Sequence, residues 1–221
     1  MRHDVLNLTF HGIGEPGRPL DPGEDRVWLS LPHFQSVLDR VVDRPDIHLF
    51  FDDGNASDVA VALPELLRRK LRASFFVLGG KLGLPGYVDA QGVRELSRRG
   101  MAVGTHGMQH CDWRTLRDEE LEAEIADSRR ALQEITGRPV EIAACPFGSY
   151  DRRVLRVLRR AGFRAVYTSD RGWASADHWL QPRNSVERAD APPPAGLWTN
   201  HRITGTPGLL RRVWRVYKRW C

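Results

Sequence analysis

Long apolar runs are missing from this chain. No stretch approaches the roughly 20 apolar residues needed to span a bilayer, which argues against a helical membrane protein. The first residues, "MRHDVLNLTF", lack the apolar core and small-residue cleavage site of a signal peptide, so a cytoplasmic location is expected. Cysteine is scarce too. The three present, Cys111, Cys145 and Cys221, are odd in number and share no C-x-x-C spacing, so they read as reduced thiols rather than a disulfide framework. Acid is absent from the last stretch, "PGLLRRVWRVYKRWC", where Arg211, Arg212, Arg215, Lys218 and Arg219 account for the whole net charge of +5. The body is therefore near neutral and shows no broad basic face, and no nucleic-acid partner is expected.

What is present is ordinary for a globular protein: 41% apolar and 28% charged residues in 221, enough for a real core. No internal repeat is visible. From about residue 46 the pattern alternates strand and helix: "IHLFF", "VAVALPELLRRKL", "ASFFVL", "AQGVRELSRRG", "MAVGTH", "DEELEAEIADSRRALQEITG", "VEIAACPFG", "DRRVLRVLRRAG", "RAVYTSD". In the longest helix Leu121, Ile125, Leu132 and Ile135 recur near the 3.6-residue period, Gly137 stops it, and Thr115 with Asp118 resembles a capping box. Such alternation implies parallel strands with helices outside, as an open sheet or a barrel, with the site at the carboxyl ends of the strands. Two Gly/Pro-rich stretches, "HGIGEPGRPLDPGED" and "ERADAPPPAGLW", read as loops.

Polar residues gather at those strand ends. "IHLFF" runs straight into Asp52 and Asp53. "MAVGTH" leads into His106 and His110, four apart, a spacing that points two imidazoles the same way on a helical turn. Alone, H-x-x-x-H is more often a pair of loop histidines. With one carboxylate of the Asp pair it completes a three-ligand metal site with open positions, leaving the other acid for proton transfer. A third strand ends in "CPFGSYD", where Pro146 and Gly148 fix a turn that either presents a backbone N–H as an oxyanion donor or simply starts a helix. "LNLTFH" ends in His11; a lone strand-end histidine is usually structural, yet no other strand end offers as good an acid for a departing amine.

"FFDDG", "HGMQH" and "CPFG", in this order and each at a strand end, resemble the successive motifs of the polysaccharide deacetylases (carbohydrate esterase family 4, the NodB-like homology domain) over about residues 4–186. The resemblance implies a distorted (β/α) barrel, α/β in class and a single domain, taken as residues 1–206; beyond it, the apolar face of Leu209, Leu210, Val213, Trp214, Tyr217 and Trp220 with arginines around it reads as a basic amphipathic helix at 207–221. It implies metal-dependent removal of an N-acyl group, N-acetyl foremost, from an amino sugar. By position, Asp52 is then the general base; Asp53, His106 and His110 are the metal ligands; and Phe147 supplies the oxyanion N–H. Zinc is the expected ion, with cobalt, nickel or manganese as alternatives. His11 as the catalytic acid resembles a circularly permuted subgroup, in which that residue precedes the Asp pair. Trp173 in "DRGW" resembles a weaker motif whose Trp lines the pocket, and Pro146 joins it on the substrate side.

Two departures stand out. Gly107 replaces a Ser or Thr, so a hydrogen bond bracing the loop is expected to be absent. Ala144 replaces the Arg that orients the base. Arg183 in "LQPRNSV", grouped with the substrate-side residues, is the candidate for that lost contact; the plain alternative is a surface arginine. The partner implied is a saccharide bearing an N-acylated amino sugar, polymeric, oligomeric or lipid-linked. The 207–221 helix either contacts an anionic membrane peripherally or packs on the barrel. Two rival readings are a non-haem iron oxygenase, which shares the ligand set, and a non-catalytic saccharide-binding protein on a deacetylase scaffold.

Overall fold

The structure is a computed structural model that describes residues 4–188. The expected helix at 207–221, Cys221 and most of the 187–198 loop lie outside the described residues.

Strands β1 (Asp4–Phe10), β2 (Ile47–Phe51), β3 (Ala73–Val77), β4 (Ala102–Thr105), β5 (Ile142–Ala144) and β6 (Ala165–Thr168) are parallel neighbours in that order. The sheet then curls closed. β8 (Leu180–Pro182) pairs with β6, and β9 (Asn184–Ser185), one residue further on, pairs with β1. Arg183 sits at the crossover. The expected distorted barrel is what forms, nearly closed and in one domain. A short β7 (Ala174–Ser175) runs antiparallel to the start of β1.

Helices α1 (Leu31–Val41), α2 (Leu63–Arg68), α3 (Ala90–Arg98), α4 (Asp118–Thr136) and α5 (Arg152–Arg160) cover the outside. The expected "VAVALPELLRRKL" helix is split: residues Asp58–Ala62 form a π-turn, and α2 begins at Leu63 with Pro64 in its first turn, where a missing N–H costs nothing. α1 lies in a stretch with no helix among the sequence expectations. Ser30 caps it by accepting from His33 N, and Phe34, Val37, Leu38 and Val41 form its buried face. The α4 cap also differs. Glu120 accepts from Arg117 N at 2.9 Å, whereas Thr115 belongs to a preceding 3-10 turn and donates to Asp112 O.

Strand alternation sorts the aromatic residues. Phe51 faces outward with Phe10 and Phe75, stacked at 5.1 and 4.6 Å, and meets Phe34 of α1. Phe50 and Phe76 face inward with Tyr167. Asp52 follows the same alternation as Phe50, so it also points inward at the rim.

Candidate active site

Asp52 and Asp53 leave β2 at its carboxyl end, 4% and 5% exposed. Asp53 and Gly54 both take positive φ, 75° and 69°, turning the two carboxylates apart. His106 follows β4 directly and is buried; His110 is half-buried. The two imidazoles converge on one oxygen. Asp53 Oδ1 lies 3.5 Å from His106 Nε2 and 3.4 Å from His110 Nε2, and one ligand atom from each of the three residues falls within 4.8 Å of the others. That oxygen is buried and accepts no hydrogen bond, an expensive state for a carboxylate unless a cation completes it. One oxygen and two imidazole nitrogens suit zinc and its first-row neighbours.

The histidines are prepared for this. His106 Nδ1 lies 2.9 Å from Ala144 O; donating there fixes the tautomer that leaves Nε2 with its lone pair toward Asp53. Burial pushes the His106 imidazole down to about 4, which the Asp52 charge only partly offsets, so the ring is neutral, the form that ligates. Gly107 has no side chain to brace the loop to His110, and other residues brace it instead. Glu124 of α4 accepts from Met108 N at 2.8 Å and Gln109 N at 2.7 Å, while Thr105 Oγ1 accepts from Gly107 N and donates to Ser128. Gly107, at φ 84°, is what permits it: a Cβ there would stand 2.7 Å from Glu124 Oε1. Glu124, Thr105 and Ser128 were not singled out in the sequence, because their positions there give no sign of where the loop folds back.

Asp52 lies outside that cluster, with Oδ2 4.0 Å from His106 Nε2. Arg183, 1% exposed, holds it bidentately: Nη1 to Oδ1 at 2.6 Å and Nη2 to Oδ2 at 2.7 Å. Burial alone would raise this carboxyl; Arg183, His106 and His11 outweigh it and leave it at about 2. The guanidinium is walled by Phe76 at 5.0 Å and Phe50 at 5.7 Å. Arg183 is therefore neither a surface residue nor a residue of the substrate wall. It pairs with Asp52 from 131 positions further along the chain.

A cleft of about 220 Å³ opens above these groups, lined by His11, Asp52, Asp53, His106, His110 and Phe147, with Arg18 and Tyr87 on its outer wall. Phe147 takes φ 57° in the turn Pro146–Gly148, is 63% exposed, and lays its ring 4.3 Å from that of His110. The Gly148 and Ser149 amides bond back to Cys145 and Pro146 carbonyls, and the Phe147 amide takes no part in those bonds. Two expectations fail here. Pro146 is buried inside its turn and does not line the cleft. Trp173 packs against the outer hydrophobic core, because β7 draws the following residues to the opposite end of β1 and Asn184 ties Gly172 down. Cys111 is a reduced thiol, as expected.

A family model described as polysaccharide deacetylase matches residues 39–166, more than half of the chain. The chain belongs to the polysaccharide deacetylase family. Its curated relatives include the chitooligosaccharide deacetylase of Azorhizobium caulinodans, 30% identical over 64% of each chain. Another is the peptidoglycan-N-acetylglucosamine deacetylase of Bacillus cereus, 28% identical over 58% of this chain and 61% of the relative. The match thus spans less than two thirds of the length of either. The deacetylase fold is shared with the Streptococcus pyogenes deacetylase PplD, solved with acetate, at a TM-score of 0.76 (20% identity, 87% of this chain, 96% of that one). IcaB from Ammonifex degensii superposes at 0.72, with 21% identity over 89% and 97% of the two chains.

Proposed function

We propose that this chain is a metal-dependent amide hydrolase that removes an N-acetyl group from an amino sugar within an oligo- or polysaccharide. One observation carries the reading: a buried, unpartnered Asp53 oxygen faced by two imidazole nitrogens, beside a second acid kept ionised. Asp53, His106 and His110 would hold the ion, which when bound polarises the amide carbonyl and lowers the pKa of its water.

The protein's own groups then divide the proton work. Asp52, oriented by Arg183, accepts the proton of the attacking water. The Phe147 N–H donates to the oxygen that gains charge. His11 donates a proton to the departing nitrogen. It sits at the end of β1, which pairs with β2 on one side and β9 on the other, so acid and base share one rim of the barrel. An acid that precedes the Asp pair in sequence is the arrangement we read as circularly permuted. Asp53 is reserved for the ion, and Asp52 lies between it and Arg183, within reach of a water in the cleft.

The names of the curated relatives, one acting on chitooligosaccharides and one on peptidoglycan N-acetylglucosamine, support a β-linked N-acetylglucosamine chain as substrate. Zinc is the proposed ion. The test is metal analysis of the purified chain followed by acetate release from N-acetylglucosamine oligomers. About one equivalent of metal and metal-dependent acetate release are expected. Saccharide binding without acetate release, metal present, would leave only a binding protein.

A further inference from the structure

The cleft has an outer wall that the proposed reaction does not use. It is the loop between β1 and α1, and Arg18 pins it. The Arg18 side chain, 8% exposed, forks onto Glu24 and donates to Asn55 Oδ1 at 3.0 Å, in the turn that carries Asp52 and Asp53. Its guanidinium lies 4.7 Å from the Tyr87 ring centre and 5.6 Å from that of Trp28. Gly17 fits against Gly86 so closely that a Cβ would meet the Gly86 Cα at 3.3 Å. A Gly/Pro-rich loop with little apolar content is thereby made into a fixed surface.

The charges on that surface decide what it can accept. Arg183 is committed to Asp52 and Arg18 to Glu24, and Arg18 is the one cationic Lys or Arg side chain lining the cleft among the described residues. Asp21, on the same wall, is exposed, and its carboxylate has no hydrogen bond or ion pair among the described residues. A carboxylate entering here meets Asp21, and among the described residues that line the cleft no uncommitted Lys or Arg answers it. An ammonium group meets Asp21. Tyr87 and the exposed Phe147 ring offer flat apolar faces to a sugar ring.

We propose that this wall is a charge-selective subsite for the sugar beside the one being deacetylated: it accepts a neutral or amine-bearing residue and rejects one carrying a carboxylate. The inference rests on the deacetylase reading above and narrows its substrate to chitin-like, partly deacetylated chains rather than glycans with acidic side groups.

The test uses the zinc-loaded full chain and three tetrasaccharides: all N-acetylglucosamine, the same with one free amine, and one alternating with an amino sugar that bears a lactyl carboxylate. Affinity and acetate release are measured separately. The amine-bearing oligomer is expected to bind roughly 3- to 5-fold tighter than the neutral one, the range an exposed ion pair allows, and the acidic one weaker by a similar factor. Both ratios should shrink in about 1 M salt. Asp21→Asn should equalise the amine-bearing and neutral oligomers, and Asp21→Lys should reverse the order. Equal or tighter binding of the acidic oligomer, an order unchanged in both variants, or binding of none of the three overturns the subsite. Binding in the expected order without acetate from any oligomer removes the hydrolase and keeps the subsite. Fastest release from the acidic oligomer does the opposite.

Discussion

At the scale of single residues, the carboxylates of the Asp pair differ because their neighbours differ. Asp53 faces two imidazoles and its Oδ1 lacks a donor; Asp52 is gripped by a guanidinium. Asp52→Asn should abolish turnover while metal stays near one equivalent, and it should destabilise the fold by about 3 kcal/mol, since Arg183 is left buried and unpaired. Acetate release, metal analysis and urea unfolding read the three effects. Arg183→Met removes the cation that opposes burial, so the Asp52 carboxyl rises from about 2 and the acidic limb of kcat/KM moves to higher pH by about one unit or more. An unmoved limb would show that Arg183 does not tune the base. The linked stability has a definite sign. A carboxyl lowered in the fold stabilises above its unfolded value near 4 and loses that contribution as pH falls toward 2. Asp58 has the opposite sign: buried with both oxygens unpartnered and raised first by burial, then by Asp53 and Asp52, it costs stability as pH rises above about 4. Asp58→Asn should therefore raise Tm at pH 7 more than at pH 4, read by thermal unfolding at both.

At the scale of elements, the decisive device is the loop from β4 to α4. Two backbone amides, Met108 and Gln109, hang on one carboxylate oxygen of Glu124, and that hold sets where His110 stands. Glu124→Ala should weaken zinc binding roughly 10- to 100-fold, the usual cost of losing an outer support, with a far smaller effect on Asp52→Asn-type turnover defects once zinc is saturating. Competition with a chelating dye measures it. Gly107→Ala should behave alike, since its Cβ must displace Glu124 and its φ of 84° is strained for any L side chain. These elements also mark the border of what sequence could reveal. The strands that lead to Asp52, His106 and Phe147 were legible because short apolar runs give way abruptly to polar or turn residues, and the helical segments between them imply parallel pairing. Local signals served less well elsewhere. The bracing by Glu124 spans 15 and 16 residues and leaves no periodic trace, and Trp173 sits in a stretch whose destination is set by how β7 pairs with the start of β1, Ala174 with Val5 and Ser175 with Asp4. The Arg183–Asp52 contact was guessed from a vacancy at Ala144, but its geometry depends on barrel closure, which no short window contains.

At the scale of the whole molecule, the ion is expected to act as a fold ligand as well as a reagent. It ties β2 to the β4–α4 loop, so zinc at 100 times its dissociation constant should stabilise the protein by about 2.7 kcal/mol, and a chelator should lower Tm correspondingly. A Tm indifferent to both would argue that Asp53, His106 and His110 do not share an ion. The closing stave carries a last consequence. Asp52 is made early on the ribosome, whereas Arg183, which aligns it, lies between β8 and β9, and these must pair with β6 and β1 before the two can touch. A chain interrupted before residue 183 thus leaves the Asp52 carboxylate without the cation that aligns it, and the proposed base is completed only when β8 and β9 have joined the sheet.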